Sequence, residues 1–189
     1  DNINVDLMFG IPKQTKASFL HTLKTVAELS PAHISCYSLI IEENTPFYNA
    51  RLDLPDEDTE REMYYTAVDF LSGNGYNQYE ISNFAQSGFE SAHNKKYWQC
   101  DEYMGIGLSA HSYLDGIRFS NTDDFSSYIK GEFSSGEKEV LSKDDKMSEF
   151  MFLGLRKTEG VSKTEFANRF GAKPEEIFAK PLLKFKKMG

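Results

Sequence analysis

The first residue of the sequence that suggests chemistry is an aspartate in the middle of a predicted β-strand. Alternation along residues 2–9 assigns the side chains to two faces: Ile3, Val5, Leu7 and Phe9 on one, and Asn2, Asn4, Asp6 and Met8 on the other. A buried carboxylate is costly unless a polar or charged group meets it, and inward-pointing polar side chains hold ligands near the strand ends of barrel enzymes. Asp6 is therefore a candidate ligand-binding residue. The alternative is that Asp6 faces solvent on an edge strand.

His111 is the histidine whose sequence neighbours most favour a functional role. Strand alternation places it on one face with Gly107, Ser109 and Tyr113. The small neighbours would leave room beside the imidazole. A lone histidine on a strand is also commonly a structural residue, so His111 has two possible interpretations, functional and structural. His93 has the same two interpretations.

The remaining histidines and the cysteines form no recognisable motif. The pattern gives no role to His21 or His33. Zinc normally takes four donors at paired short spacings, and the sequence has no such spacing. Cys36 and Cys100 lie far apart, which excludes a C-x-x-C motif and a disulfide framework. We therefore predict no metal site in this sequence and expect a reducing, cytoplasmic setting.

Residues 105–110 match the G-x-G-x-x-A string of dinucleotide-binding loops. That loop works only between a strand and a helix, where helix amides meet a pyrophosphate. Here a polar segment, residues 99–102, precedes the string and a predicted hairpin follows it. We interpret the glycines instead as points of close backbone approach.

Composition excludes two broad classes of protein. A formal net charge of −8 argues against binding to a nucleic-acid backbone, which needs a basic face. The sequence has no apolar run of about 18 residues and no signal-peptide pattern, so we expect no membrane span. The 15 Phe and 10 Tyr suit either a large core or a site for a flat ligand.

The elements that would position Asp6 form a β-α-β unit. A helix is predicted over residues 16–29, capped by Thr15, and a strand buried on both faces over residues 33–41. A second helix is predicted over residues 56–71. The carboxylates at its start are interpreted as capping and dipole residues rather than as an acid/base pair.

The elements around His111 are predicted to be β-rich. Residues 96–99 resemble a short strand, residues 106–114 alternate, and Asp115-Gly116 between apolar runs predicts a two-residue hairpin.

The rest of the sequence is predicted to be helical. Thr122 would cap a short helix that ends near Gly131, and an acidic Ser/Gly-rich loop would follow over residues 132–141. Capping boxes at residues 142–145 and 162–165 predict two further helices. The predicted domains are therefore residues 1–131 and 132–189.

Six strings, taken together and in order, resemble one family, the oxygen-independent coproporphyrinogen III oxidase-like radical SAM proteins. They are residues 4–15, 33–42, 78–85, 93–98, 105–113 and 153–161. The resemblance implies an α/β fold: the second half of a radical SAM (βα)6 partial TIM barrel, a mixed β region and a C-terminal helical domain similar to a winged helix. Residues 79–84 and 110–113 resemble the HemW-type branch, proposed to be haem chaperones. The coproporphyrinogen-converting branch has an aliphatic residue where His111 stands.

The resemblance also implies cofactors. The family holds a [4Fe–4S] cluster in a C-x-x-x-C-x-x-C loop, with S-adenosylmethionine beside it, because thiolates suit the soft iron of the cluster. This sequence lacks that loop. It is therefore expected to be a C-terminal fragment that holds neither cofactor completely and is inactive alone. Whether the intact protein is an enzyme stays open.

Residue roles follow from the resemblance position by position. Asp6, Ile40 and His111 match positions that line S-adenosylmethionine, and a carboxylate such as that of Asp6 accepts hydrogen bonds from a ribose diol. In the HemW-type branch, His111 is also a candidate haem ligand, since imidazole is a common axial ligand. Tyr97, Trp98 and Tyr113 would supply flat apolar contact.

The sequence leaves rival functions open. One is true coproporphyrinogen III oxidation, in which a radical reaction decarboxylates propionate side chains. Another is a protein- or nucleic-acid-binding module in the C-terminal domain, although the acidic balance disfavours nucleic acid. Haem or a porphyrinogen is the expected ligand, and the open strand edges of a half barrel predict self-association. An electron donor and a haem acceptor protein of unknown identity would be the further partners.

Overall fold

The computed structural model of the protein describes residues 2–50 and 52–188. The chain divides between Ser91 and Ala92 into two compact units, which we describe separately. The domain boundary between residues 131 and 132 stays a prediction.

The first unit is a four-stranded sheet with two long helices. Its elements are β1 (Asn4–Phe9), α1 (Lys16–Glu28), β2 (His33–Ser38), α2 (Pro46–Asn49), α3 (Glu57–Gly73), β3 (Asn77–Glu80) and β4 (Asn83–Ala85). The strand order is β1-β2-β4-β3. β1 and β2 are parallel, whereas β4 runs antiparallel to both β2 and β3. The predicted β-α-β unit is confirmed.

Side-chain caps begin both long helices where the sequence predicts. The Thr15 hydroxyl accepts a hydrogen bond from the Ser18 amide, and Ser18 returns one in a capping box. The Asp56 carboxylate accepts from the Thr59 amide at 2.7 Å. This bond holds the pKa of Asp56 below its ordinary value.

The core of the first unit lies between one face of the sheet and the two helices. The buried residues are Leu7, Phe9, Phe19, Leu23, Val26, Ile34, Cys36, Met63, Ala67, Leu71, Tyr76 and Phe84. On β1 and β2 these are alternate residues, so the strands bury one face against the helices. The prediction that residues 33–41 are buried on both faces was wrong: β2 ends at Ser38, and Tyr37 is 36% exposed.

The second unit combines an antiparallel sheet with helices. Its elements are α4 (Ala92–Trp98), β5 (His111–Leu114), β6 (Ile117–Asn121), α5 (Phe125–Ile129), β7 (Ser134–Val140), α6 (Lys143–Gly154), α7 (Lys163–Phe170), α8 (Pro174–Ile177) and α9 (Ala179–Met188). The strand order is β5-β6-β7. The predicted hairpin at Asp115-Gly116 is confirmed, with φ angles of 51° and 74°. Positive φ at both central residues matches the twist of the flanking strands.

The β predictions for residues 96–99 and 106–114 need correction. Residues 96–98 complete helix α4, where Tyr97 stacks edge-on against His93 one helical turn earlier. The strand after the glycines begins only at His111, because Gly107 and Ser109 have φ angles of 119° and 58°. Such angles do not fit an extended strand.

Two predictions between residues 122 and 141 were also wrong. Asp124, not Thr122, caps helix α5 by accepting from the Ser127 amide at 2.7 Å. The expected loop over residues 132–141 contains strand β7, which pairs with β6. Every residue of β7 is exposed, so no apolar alternation signals the strand.

The C-terminal helices have a small aromatic core. Met147, Phe150 and Phe166 are buried, and Phe166 packs against Phe150 and Phe170 with ring centroids 5.8 and 4.8 Å apart. The predicted capping box of α6 is confirmed. Gly171 ends α7 in the left-handed conformation, φ 71°.

Candidate functional site

Asp6 lies on the face of the first sheet that the helices do not cover. Its side chain is exposed. One carboxylate oxygen, Oδ1, accepts a hydrogen bond from Asn4 Nδ2 at 2.6 Å. Within residues 2–50 and 52–188, the other oxygen has no protein donor. The structure thus presents a carboxylate that is held on one side and open on the other.

Asn4 belongs to a chain of hydrogen bonds that crosses the same face. Its Oδ1 atom accepts from His33 Nδ1 at 2.6 Å and from the Ser35 hydroxyl at 3.3 Å. The register explains the contact, because Asn4 on β1 is paired with His33 on β2. At the far side of the imidazole, Nε2 lies 2.8 Å from the Tyr79 hydroxyl.

The hydrogen-bond partners define the tautomer of His33. Asn4 Nδ2 donates to a carboxylate, so Asn4 Oδ1 is an acceptor and His33 Nδ1 must carry the proton. In a neutral ring Nε2 is then an acceptor, and the Tyr79 hydroxyl donates to it. Burial lowers the pKa of His33, while the charges of Asp6 and Glu80 oppose that shift. His33 is 6% exposed, and the neutral ring suits this environment.

Ile40 and Cys36 lie in different environments. Ile40 follows the end of β2 and is 72% exposed. Cys36 is buried in the core, and burial raises the pKa of its thiol to about 12. A protonated, buried thiol is a poor metal ligand or nucleophile.

The aromatic candidates lie together in the second unit. Tyr97, Trp98 and Tyr113 line a cavity of about 260 Å³. Tyr103 joins them, with its ring centroid 4.6 Å from that of Tyr97 and 6.4 Å from that of Tyr113. Trp98 Nε1 is buried and has no hydrogen-bond partner in the described part of the chain.

Charged groups form one wall of this aromatic cavity. The Arg118 guanidinium donates to both carboxylate oxygens of Glu149 at 3.0 Å and to Glu139 at 3.2 Å. Burial, and then the charge of Glu149, raise the pKa of Tyr113. Its phenol therefore stays protonated at neutral pH. Cys100 also lines the cavity, and burial raises the pKa of its thiol to about 11.

His111 lies outside the aromatic cavity. Its side chain is exposed at the start of β5 and lines a second, shallow cavity of about 280 Å³ with Phe119, Ser120 and Lys138 among its neighbours. Arg118 contributes to both cavities. His111 and Tyr113 are two residues apart on β5 and so lie on the same face.

Sequence reasoning missed several residues of both clusters. His33 received no role, and Asn4 was placed on the right face without a partner. Arg118 had a usable signal: the hairpin at Asp115-Gly116 places it opposite Tyr113. Nothing in the sequence could have paired Asn4 with His33, because the register of two parallel strands is not set by a short turn.

Residues 2–50 and 52–188 lack two kinds of functional feature. They contain no group of three or more His, Cys, Asp or Glu side chains placed to hold a metal ion. Their helices also include none that is long and apolar enough to cross a membrane.

Comparison with known proteins identifies the fold and then the family. Residues 141–189 match the family model described as HemN C-terminal domain. Among solved structures, the chain is similar to coproporphyrinogen III oxidase (HemN) from Escherichia coli, a radical SAM enzyme. The TM-score is 0.78 at 22% identity, over 97% of this chain and 48% of that one. The chain therefore has the α/β fold of this part of HemN, and the predicted fold class is confirmed.

Sequence relatives identify the family more closely. The chain is 42% identical over 187 residues to the heme chaperone HemW of Bacillus subtilis (strain 168), covering 94% of this chain and 49% of the relative. It is 41% identical over 188 residues to the heme chaperone HemW of Lactococcus lactis subsp. lactis (strain IL1403), covering 96% and 50%. The resemblance to HemN/HemW-like radical SAM proteins that the motifs predict is confirmed. The chain spans about half the length of the curated relatives it matches.

Proposed function

We propose that this chain is part of a radical SAM protein that binds haem and acts as a haem chaperone. The observation that carries the proposal is the position of His111, an exposed imidazole on the same strand face as Tyr113. Neutral imidazole is a common axial ligand of haem iron. The relatives named heme chaperone HemW support the same function.

Haem would lie over the exposed face of the β5–β6 hairpin. The aromatic cavity, at about 260 Å³, is below the range of about 300–1,000 Å³ usual for pockets that enclose a ligand. We therefore place the macrocycle outside it, with Tyr113 at its edge and Tyr97 and Trp98 behind.

S-adenosylmethionine would be held in part by Asp6. The open carboxylate oxygen fits a ribose hydroxyl, since an ionised carboxylate accepts hydrogen bonds only. Ile40 would line the same ligand. When bound beside a reduced cluster, S-adenosylmethionine supplies radical chemistry.

The residues of this chain do not fit a [4Fe–4S] cluster. Both thiols have a raised pKa, Cys36 about 12 and Cys100 about 11, whereas cluster ligands are thiolates. We propose that the cluster ligands of the intact protein lie outside this chain.

Titration of the full-length protein with haem tests the proposal. We expect the wild-type protein to show a Soret band on titration. In His111→Ala the band should be weaker and its wavelength should change, because the axial ligand is lost. His21→Ala is the matched control, since that exposed helical histidine has no proposed role. An unchanged spectrum and affinity in His111→Ala would remove His111 from haem binding.

The alternative function is coproporphyrinogen III oxidation, which the likeness to HemN favours. Anaerobic incubation of the full-length, cluster-loaded protein with coproporphyrinogen III, S-adenosylmethionine and a reductant separates the two functions. A chaperone gives no protoporphyrinogen. Robust product formation would overturn our proposal.

A further inference from the structure

We infer that His33 is a positioning residue for Asp6: through Asn4, its neutral imidazole fixes the orientation of the carboxylate that would meet S-adenosylmethionine. The inference deepens the proposed function of Asp6 and rests on it. His33 does not itself face the proposed ligand, because Asn4 stands between the two side chains.

The hydrogen bonds run in one direction across the sheet. The Ser91 amide donates to the Tyr79 oxygen at 3.3 Å, and the Tyr79 hydroxyl donates to His33 Nε2 at 2.8 Å. His33 Nδ1 then donates to Asn4 Oδ1, and Asn4 Nδ2 donates to Asp6 Oδ1, both at 2.6 Å. Reversal of one bond would reverse the donor and acceptor roles of its neighbours.

The hydrogen bond from His33 fixes the orientation of the Asn4 amide, which Asn4 does not fix by itself. An exposed asparagine at the start of an edge strand has two amide orientations of similar energy, one of which turns Oδ1 toward the carboxylate. The donors from His33 and Ser35 both require Oδ1 on their side. This leaves Nδ2 for Asp6, and a donor fixed on one carboxylate oxygen leaves the other for a ligand.

The arrangement depends on a neutral ring. Protonated Nε2 would be a donor, and the Tyr79 hydroxyl would have to turn its hydrogen away to accept. The groups that face the imidazole are the Tyr79 hydroxyl from β3, Asn4 and Asp6 from β1 and the nearby Glu80 carboxylate. The two carboxylates favour a cation, but burial outweighs them.

Nitrogen NMR of the 189-residue chain with 15N-labelled histidine tests the tautomer without any ligand. We expect His33 to carry its proton on Nδ1 above neutral pH. Tyr79→Phe removes only a hydroxyl, so the Nε2 resonance should move toward that of a free acceptor nitrogen while the proton stays on Nδ1. A proton on Nε2 in the wild type would overturn the inference.

Binding of S-adenosylmethionine to the full-length protein, measured by isothermal titration, tests the coupling. Asp6→Asn and His33→Leu should each weaken binding about three- to ten-fold, the effect of one hydrogen bond. The double variant should bind no more weakly than Asp6→Asn alone, because His33 acts only through Asp6. His33→Asn keeps an amide donor near Nδ1 and should restore part of the affinity.

The outcomes separate the two hypotheses. If Asp6→Asn binds S-adenosylmethionine as the wild type does, the proposed role of Asp6 fails even where the NMR tautomer is as expected. If Asp6→Asn weakens binding but the effect of His33→Leu is absent or fully additive, only the positioning role fails. Should His33→Leu not fold, Asn4→Ala takes its place in the cycle, because it removes the side chain that joins the imidazole to the Asp6 carboxylate. His21→Leu is the control for loss of a histidine.

Discussion

At the scale of the residue, His33 shows how burial and two hydrogen-bond partners favour the neutral form of an imidazole and one of its tautomers. Both ring nitrogens have partners, at 2.6 and 2.8 Å, and the ring is 6% exposed. The burial that lowers the pKa of His33 also keeps its ring from direct contact with a ligand. Its contribution is to order Asn4.

The pKa shift of His33 predicts how stability depends on pH. The folded pKa lies below the ordinary value of 6.5, so both folded and unfolded states hold a neutral ring well above that value. As the pH falls below about 6.5, the unfolded state binds the proton first. The free energy of unfolding should therefore decrease until the folded pKa is passed.

Urea unfolding of the chain between pH 8 and pH 5, followed by circular dichroism, measures this decrease. The free energy of unfolding should depend less on pH in His33→Asn, because the contribution of His33 is gone. His21→Asn, at an exposed site, should keep the pH dependence of the wild type. Equal slopes in the wild type and His33→Asn would show that His33 does not titrate differently on folding.

The sequence located Asp6 but not the residues that hold it. Alternation along one strand is enough to place Asp6 on the face opposite Leu7 and Phe9. The bond from His33 depends on the register between β1 and β2 and on side-chain rotamers, which no single-strand pattern contains. The functional roles of Ile40 and His111 stay predictions.

At the scale of the element, Arg118 connects three pieces of secondary structure in the second unit. It lies on β6, and its guanidinium binds Glu139 on β7 and Glu149 on α6. The side chain of Glu149 is 18% exposed and that of Arg118 is 32% exposed. Both carboxylate oxygens of Glu149 accept from the same guanidinium nitrogen, Nη2, and a partly buried, charge-assisted contact of this kind is stronger than a surface ion pair.

Removing this ion pair should destabilise the second unit. Arg118→Leu leaves the Glu149 carboxylate half-buried without its donor, and we expect a loss of about 1–3 kcal/mol. Arg61→Leu is a matched control, because Arg61 pairs with Asp58 where the side chains are 58% and 85% exposed. That change should cost less than about 0.5 kcal/mol.

Chemical denaturation of the single variants and of Arg118→Leu/Glu149→Leu measures the pair. The double variant should lose less stability than the two single variants together, because neither charge is left alone. Additive losses would mean that the two side chains do not interact in solution.

Elements with local signals were predicted well. Thr15, Asp56 and Ser142 begin helices because their side chains cap the first amides, and such caps are encoded within four residues. Strand β7 was missed because its residues are all exposed and, apart from Gly136 and Val140, polar. It is a strand only because β6 offers an edge to pair with, a long-range property.

At the scale of the whole molecule, β1 is the edge strand of the first sheet. It pairs with β2 on one side, and within the described residues no strand pairs with its other side. Met8 on this strand is 43% exposed, and Ile3, which directly precedes the strand, is 54% exposed. An open edge with apolar side chains is a template for pairing with another chain.

We therefore predict that the 189-residue chain self-associates, which sedimentation velocity over a range of concentrations would detect. Lysines on an edge strand oppose edge-to-edge pairing by charge repulsion, so Ile3→Lys/Met8→Lys should shift the chain toward monomer. Leu29→Lys is the control, because Leu29 is 72% exposed at the end of α1 and is not part of β1. A wild-type chain that sediments as a monomer at all concentrations would contradict the prediction. Association that survives the lysines on β1 but not the lysine at Leu29 would move the contact to the helical side of the unit.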